Sequence, residues 1–207
     1  MPAHSLHRHV ISKKEIMALP LRSYTGPIHV IDSDAKIGAA VRALGSEKVL
    51  GFDTETRPAF KIGESYPPSL IQLAARDGVY IFQLRHIRSY KPLADILGDH
   101  RRLKAGIAVA DDIKKLNDLF PLEPSGFIEL AGLAARAGIK HAGVRSLAAL
   151  LFGCRISKGT KCSRWDAPTL TREQIVYAAT DAWICREIYF ALMGRSGGPW
   201  GQVPRGH

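Results

Sequence analysis

One run of residues constrains the fold more than any other: a buried-strand pattern that ends in acidic side chains. Lys48-Val-Leu-Gly-Phe-Asp53 is apolar between its two charged ends, as in strands that are covered on both faces. Two further runs with strand character follow, at residues 69–75 and 79–84, and the tight-turn signal Asp77-Gly78 separates them. These three segments predict an antiparallel meander at the centre of the molecule.

The other periodic segments predict helices and single strands that follow or precede this meander. Helices are predicted at residues 34–44, 92–97, 111–119, 130–137, 144–152 and 172–193, and strands at residues 28–31, 103–107 and 127–130. Strands first, and then strands alternating with helices, predict an α/β fold. Its mixed sheet would combine the antiparallel meander with parallel strands and be flanked by helices.

The length of 207 residues suits one domain with a single core, which we place at residues 28–194. Residues 1–27 are predicted to form an N-terminal leader with one short helix, which the capping-box sequence Ser12-Lys-Lys-Glu15 opens and which stops before Pro20. Residues 195–207 are predicted to form a flexible C-terminal tail, because Gly and Pro crowd this segment.

Asp53 and Glu55 stand two residues apart at the end of the first meander strand. Side chains alternate across a strand, so the two carboxylates share one face. Like charges on one face repel each other unless a cation lies between them, and Mg²⁺ and Mn²⁺ prefer oxygen ligands. The pair is therefore a candidate metal site, although a solvated strand end gives the same pattern.

Two more acidic positions lie on predicted helices. Asp112 is near the start of one helix, where it is either a ligand or an N-cap, and Asp111 competes with it for both roles. Tyr177 and Asp181 are four residues apart in the last helix and so share one face. Asp181 has apolar neighbours, where an unpaired carboxylate is costly, unless it faces water while Tyr177 packs in the core.

Together these residues resemble the three motifs of the DEDDy 3′→5′ exonucleases, the family that includes ribonuclease D and the exonuclease domain of the Werner-syndrome helicase. The matching segments are Phe52-Asp-Thr-Glu-Thr56, Lys104-Ala-Gly-Ile-Ala-Val-Ala-Asp-Asp112 with Ile113-Lys-Lys-Leu116, and Tyr177-Ala-Ala-Thr-Asp181. The Tyr-x-x-x-Asp spacing is typical of the tyrosine subclass. The spacing to Leu116 favours Asp112 over Asp111 as the second-motif residue. The resemblance implies a ribonuclease H-like fold.

The resemblance also implies an activity. Asp53, Glu55, Asp112 and Asp181 would hold two divalent metal ions, Mg²⁺ or Mn²⁺, and Tyr177 would orient the attacking water. The enzyme would hydrolyse terminal phosphodiester bonds of nucleic acid and release nucleoside 5′-monophosphates, with DNA and RNA both open as substrates. The alternative is a catalytically inert nucleic-acid-binding module of the same fold. Such modules usually lose a carboxylate, whereas this chain keeps all four.

The net charge of the chain also favours a nucleic-acid partner. The formal net charge is +10, and an excess of basic residues favours a polyanion such as single-stranded nucleic acid or the 3′ ends of DNA or RNA. The candidate phosphate contacts are Arg57, Lys158, Lys161 and Arg164, for which a solvated loop is an equal alternative. Phe60 and Tyr66 are candidates for a wall of the substrate channel, and Trp165 is expected to pack in the core.

The remaining features concern the compartment. An odd number of cysteines, three, and an N-terminus without a signal-peptide pattern favour reduced thiols and a cytoplasmic location. No apolar run reaches the length of a membrane span, so no membrane partner is expected.

Overall fold

The structure is a computed structural model that describes residues 10–140, 143–157 and 163–194. Its strands are β1 (Leu21–Arg22), β2 (Ile28–Ile31), β3 (Val49–Thr56), β4 (Pro68–Ala74), β5 (Val79–Gln83), β6 (Leu103–Gly106), β7 (Phe127–Glu129) and β8 (Arg155–Ile156). Its α-helices are α1 (Lys13–Ala18), α2 (Asp34–Gly45), α3 (Lys91–Gly98), α4 (Val109–Leu119), α5 (Leu130–Arg136), α6 (Val144–Phe152) and α7 (Arg172–Leu192). A 3₁₀ turn, Leu84–His86, follows β5.

Six strands form the central sheet in the order β2-β5-β4-β3-β6-β7. The strands β3, β4 and β5 pair antiparallel, whereas β2 runs parallel to β5, and β6 runs parallel to both β3 and β7. The predicted meander with added parallel strands is confirmed. Strand β6 pairs only with Val49, Leu50 and Gly51 of β3, whereas β4 pairs with the rest of the strand as far as Thr56.

Helices cover both faces of the sheet, and each face has its own apolar core. The apolar residues of α2, α3 and α4 pack on one face, while those of α5, α6 and α7 pack on the other. The last helix begins with a capping box in which the Thr171 side chain accepts from Gln174 N and Gln174 reaches back to the Thr171 backbone. Its 21 residues make it long enough to cross the sheet, about 30 Å.

The structure differs from the predicted elements at a few places. Strand β3 runs three residues beyond Asp53 and ends at Thr56, so both acids of the first motif lie within the strand. Helix α4 begins at Val109, two residues before the predicted start. The pair β1 and β8 forms a separate two-stranded parallel sheet. Two-residue strands carry no periodic pattern, which is why the sequence did not predict them.

The described part of the chain contains no helix that combines the length and the apolar character needed to cross a bilayer. The helix predicted from the Ser12 capping box is present as α1, with both of its reciprocal hydrogen bonds.

Candidate active site

A single glycine lets the last helix lie directly on the central strand. A Cβ atom at Gly51 of β3 would lie 1.9 Å from the carbonyl oxygen of Ala182 in α7, so no larger residue fits there. Ala178 and Ala182, fully buried on the same helix, continue this close contact. Gly51 is two residues before Asp53, and Ala182 directly follows Asp181. The close approach therefore brings the two carboxylates together.

Three carboxylates meet at this contact. Asp53 and Glu55 from β3 and Asp181 from α7 each place one carboxylate oxygen so that all three oxygens lie within 4.8 Å of one another. Glu55 is buried, and the other two are partly buried. The sequence placed Asp53 and Glu55 on one face, but only the fold brings Asp181, more than a hundred residues away, to the same point.

Asp112 borders this cluster from the other side of the strand. Its carboxylate accepts a hydrogen bond of 2.6 Å from the hydroxyl of Thr54, the residue between the two acids of β3. Its charge is also close enough to Asp53 to raise the pKa of that carboxyl. Asp111 is exposed. The structure thus places Asp112, rather than its neighbour, beside the three clustered acids.

The turn into α4 explains how Asp112 reaches this position. Ala108 has a φ of 58°, in the left-handed region, and its side chain provides no cap for the helix that follows. The Glu129 carboxylate takes over this role, because it accepts from the backbone N–H of Val109 at 3.1 Å and from that of Ala131 at 3.1 Å. One side chain therefore fixes the N-termini of two helices, a function that no local sequence pattern indicated.

The neighbouring acids raise the pKa of Asp53. The pKa of Asp53 lies well above its ordinary range because of burial first and then the charges of Asp181 and Asp112, while a hydrogen bond from the Thr54 backbone opposes this. Burial also raises the pKa of Asp112, although the Thr54 hydroxyl acts in the opposite direction. A cation between these carboxylates would remove the cause of the repulsion.

The donor set fits a divalent cation. Mg²⁺ and Mn²⁺ take oxygen ligands, and carboxylates of this density are otherwise costly in a partly buried site. Asp53, Glu55 and Asp181 offer three such oxygens at mutual distances below 4.8 Å, and Asp112 adds a fourth carboxylate at the edge. The residues present are therefore suited to hold the metal that the sequence motifs imply.

Tyr177 lies one helical turn before Asp181, and its hydroxyl hydrogen-bonds to the Asp181 carboxylate. Burial, followed by the charges of Asp181 and Glu55, raises the pKa of this phenol above its ordinary value. The side chain therefore keeps its proton and serves as a hydrogen-bond donor. Trp165, which is fully buried with its ring centroid 5.8 Å from that of Tyr177, supports the phenol. Its predicted packing role is confirmed.

The loop that carries Trp165 is fastened to the sheet by polar side chains. Gln83 donates to the carbonyl oxygens of Ala167 and Pro168 at 2.8 and 3.1 Å, and Arg85 donates to that of Asp166. Gln83 is buried, so these hydrogen bonds also satisfy its amide. The sequence did not indicate this support, because the partners are more than 80 residues apart.

Of the predicted phosphate contacts, Arg57 and Arg164 lie on either side of Asp166. Arg57 is 3.3 Å from one Asp166 oxygen and stacks over the Tyr66 ring at 4.6 Å, and Arg164 is 3.7 Å from the other oxygen. Their side chains are 49% and 78% exposed, so both remain accessible to a nucleic-acid strand.

Lys158 and Lys161 lie outside the described residues, as do Cys162 and residues 195–207. Phe60 is exposed in the loop after β3.

Gln72 is a buried polar residue beside the acids that the sequence did not single out. It is the cross-strand partner of Asp53 on β4 and has no exposed surface. Neither its amide nitrogen nor its amide oxygen has a hydrogen-bond partner within residues 10–140, 143–157 and 163–194. A buried amide without partners is costly, and this one stands next to the cluster of acids.

Comparisons with known proteins agree with this geometry. A sequence-family model described as 3′-5′ exonuclease matches residues 28–195. The chain is 32% identical over 149 residues to exonuclease 3′-5′ domain-containing protein 2 of Drosophila melanogaster, covering 70% of this chain and 25% of that protein. It is 31% identical over 156 residues to the bifunctional 3′-5′ exonuclease/ATP-dependent helicase WRN of Mus musculus, covering 72% of this chain and 11% of that protein.

A solved structure shows the same fold. The crystal structure of Escherichia coli RNase D, an exoribonuclease involved in structured RNA processing, superposes with a TM-score of 0.71 at 26% sequence identity. The match covers 81% of this chain and 44% of that one. The chain thus spans less than half the length of each of these relatives. The residues that the family model matches, 28–195, include the clustered acids.

Proposed function

The chain belongs to the 3′-5′ exonuclease family, and from this membership we propose that it removes nucleotides one at a time from the 3′ end of a nucleic-acid strand. Hydrolysis would add a water oxygen to the terminal phosphorus and release the 3′ oxygen of the preceding nucleotide. The product would be a nucleoside 5′-monophosphate.

The observation that carries the proposal is the meeting of Asp53, Glu55 and Asp181 within 4.8 Å, with the Tyr177 hydroxyl on Asp181. These three carboxylates and Asp112 would hold two divalent cations, Mg²⁺ or Mn²⁺. When bound, two such cations supply an acidified water and neutralise charge at the leaving oxygen.

The protein's own residues position the attacking water and keep the Tyr177 hydroxyl protonated. The Tyr177 hydroxyl keeps its proton because its pKa is raised, so it can donate to Asp181 or to a water but cannot act as a base. Trp165 and the fastened loop hold the phenol in place. Orientation of this kind lowers the barrier by fixing the attacking water in line with the phosphorus.

The surroundings of the site suit a strand that is bound without regard to sequence. Arg57 and Arg164 would contact phosphates, and Lys158 and Lys161 remain predicted contacts on the same segment as Arg164. The exposed ring of Phe60 would stack on a base, an interaction that every base permits. None of these contacts distinguishes deoxyribose from ribose, so the substrate is proposed at the level of nucleic acid.

Side-by-side hydrolysis of 5′-labelled single-stranded DNA, recessed duplex DNA and single-stranded RNA tests the proposal. Each is incubated with Mg²⁺, with Mn²⁺ and with a chelator. We expect a ladder of strands shortened from the 3′ end, dependent on metal, together with nucleoside 5′-monophosphates. The relative rates on the DNA and RNA strands define the substrate class. If none of the three substrates is shortened in a metal-dependent way, the result supports the alternative, a catalytically inert nucleic-acid-binding module.

The two adjacent aspartates provide a matched control. Asp112→Asn should abolish shortening, since this carboxylate borders the cluster, whereas Asp111→Asn should retain the wild-type rate, since Asp111 is exposed. Equal effects of the two substitutions would contradict the assignment of Asp112.

A further inference from the structure

The N-terminal segment, residues 10–27, precedes the family match at residues 28–195 but packs against the body of the protein. Ile11 and Ile16 form a small apolar core with Ala149 of α6. Further along, β1 pairs with β8, and Arg155 donates to the carbonyl oxygen of Pro20 at 2.9 Å and, through Nε, to that of Leu19 at 3.0 Å. Backbone and side-chain contacts thus hold the segment in one place.

The same segment is tied to the helix that carries Tyr177 and Asp181. The backbone N–H of Tyr24 donates to the Thr180 hydroxyl at 3.0 Å, and the Tyr24 ring lies 5.7 Å from that of Trp183. Thr180 directly precedes Asp181. The N-terminal segment is therefore fixed at the residue next to a proposed metal ligand.

Between the segment and α7 lies a cavity of about 500 Å³. Arg22 and Ser23 line it from the N-terminal segment, Ser157 lines it after β8, and Arg172, Tyr177 and Asp181 line it from α7. Two arginines and two serines, whose side chains can donate hydrogen bonds, therefore line the same cavity as Tyr177 and Asp181 of the proposed active site.

We propose that this cavity is a phosphate-binding subsite of the active-site cleft, in which Arg22 and Arg172 hold a backbone phosphate of the nucleic-acid substrate. The inference rests on the proposed function and deepens it, because it assigns part of the substrate binding to the N-terminal segment, which lies outside the family match. Arginine suits this role, since its planar group donates two parallel hydrogen bonds to a phosphate.

The position along the helix decides which phosphate is held. Arg172 precedes Asp181 by nine residues, which corresponds to about 14 Å along a helix axis. A phosphate held at Arg172 is therefore not the one that is cleaved, but another along the same strand. Loss of either arginine should act mainly on substrate binding, hence on KM, and less on kcat.

Apart from Asp181, the proposed metal ligand, one acid lines the cavity, Glu173. Its carboxylate turns toward the first turn of α7, where its own backbone N–H and the Thr171 hydroxyl hydrogen-bond to it and lower its pKa. The exposed N-terminus of this long helix adds partial positive charge. With the charge of Asp181 assigned to the proposed metal ions, two arginines against one glutamate leave a net positive charge in the cavity, which favours an anion.

The test measures binding without turnover. In an Asp53→Asn background, fluorescent oligothymidylate and oligouridylate are titrated in Mg²⁺ at several salt concentrations, with Arg22→Ala, Arg22→Lys and Arg172→Ala added singly. We expect each alanine variant to weaken binding about tenfold. Each should also reduce the slope of log affinity against log salt by about 0.7. Arg22→Lys should keep the slope, because it keeps the charge.

Arg101→Ala is the matched control. Arg101 is exposed and lies before β6, at the end of the sheet opposite Asp53, because β6 runs parallel to β3. It should match the parent in affinity and slope. Unchanged affinity and slope in Arg22→Ala and Arg172→Ala would overturn the inference, and so would an equal loss in Arg101→Ala. Wild-type hydrolysis in the substrate panel decides the proposed function separately, since a subsite can fail while hydrolysis persists.

Discussion

The two faces of the central sheet carry different side chains, although the same strands build both. On the face covered by α2, α3 and α4, Leu50, Phe52, Ile71, Leu73 and Phe82 are all fully buried and apolar. This face has the alternating apolar positions of an ordinary sheet core, and its packing contributes stability.

The face under α7 is apolar on both sides of a polar position. Leu70 and Ala74 on β4 belong to its core, but Gln72 lies between them, and Asp53 is its cross-strand partner. Burial and the charges of Asp181 and Asp112 raise the pKa of Asp53 here, and the Gln72 amide lacks partners within the described residues. This part of the face holds groups that cost stability, which is common where a protein binds a ligand or a metal.

Lys104 shows that burial of a polar group is not the cause of the difference. It is fully buried beside Phe127 on the apolar side of the sheet, and burial lowers its pKa to about 8. Its ammonium nevertheless donates to the carbonyl oxygens of Asp99 and Arg102 at 2.9 and 2.8 Å. Lys104 on one face and Gln72 on the other therefore differ in whether the protein itself satisfies the buried polar group.

The largest expected effect comes from a substitution among the acids on the face under α7, which we call the polar face. Asp181→Asn should reduce kcat by about 10³-fold or more, because it removes a carboxylate from the proposed metal site. The melting temperature without metal should rise, because one like charge is lost. Single-turnover hydrolysis and thermal melts in chelator measure the two outcomes. A variant that keeps its activity would contradict the assignment of catalysis to the face under α7.

The apolar face should respond in the opposite way. Leu73→Ala removes a fully buried side chain and should lower the free energy of unfolding by about 2–5 kcal/mol. Hydrolysis per folded molecule should stay near wild type. Urea unfolding, combined with kcat corrected for the folded fraction, checks this. A loss of kcat beyond the loss of folded protein would show that the apolar face also shapes the site.

The pH dependence of stability should come from the polar face. Since the pKa of Asp53 is raised in the folded protein, its carboxyl ionises at lower pH in the unfolded chain than in the folded one. Its contribution to stability is therefore present below the ordinary pKa of about 4 and is lost as the pH rises through the raised value. Each unit of difference between the two pKa values corresponds to about 1.4 kcal/mol.

Urea unfolding in chelator, from acid to neutral pH, measures this loss. Mn²⁺ should restore stability at neutral pH, and Asp53→Asn should flatten the profile, because the titrating carboxyl is gone. A profile that is equally steep in Asp53→Asn would assign the pH dependence to other groups.

The smallest expected effect comes from the unpartnered amide of Gln72. Gln72→Met replaces the unpartnered amide by an apolar side chain of similar length and should raise the free energy of unfolding by about 1 kcal/mol. Urea unfolding measures the gain, and kcat with Mn²⁺ is measured in parallel. Lower stability would mean that the amide is satisfied in solution, and greater stability with a lower kcat would link the amide to the site.

Much of the fold could be predicted because its signals are local. The meander, the helices and the shared face of Asp53 and Glu55 all follow from periodicity and turn residues within short windows. The Tyr177 and Asp181 pair follows from helical spacing. The elements that were missed, β1 and β8, are two residues long and exist only because distant segments pair.

The sequence by itself determined which chemistry the chain carries, since four carboxylates and one tyrosine stand at fixed spacings in recognisable motifs. Tertiary structure alone decided how they meet. Gly51 lets α7 approach β3, Glu129 sets the start of α4, and Arg22 lies across a cavity from Arg172. Each of these joins residues that are distant along the chain, and the free energy of such contacts depends on packing that short windows of sequence do not contain.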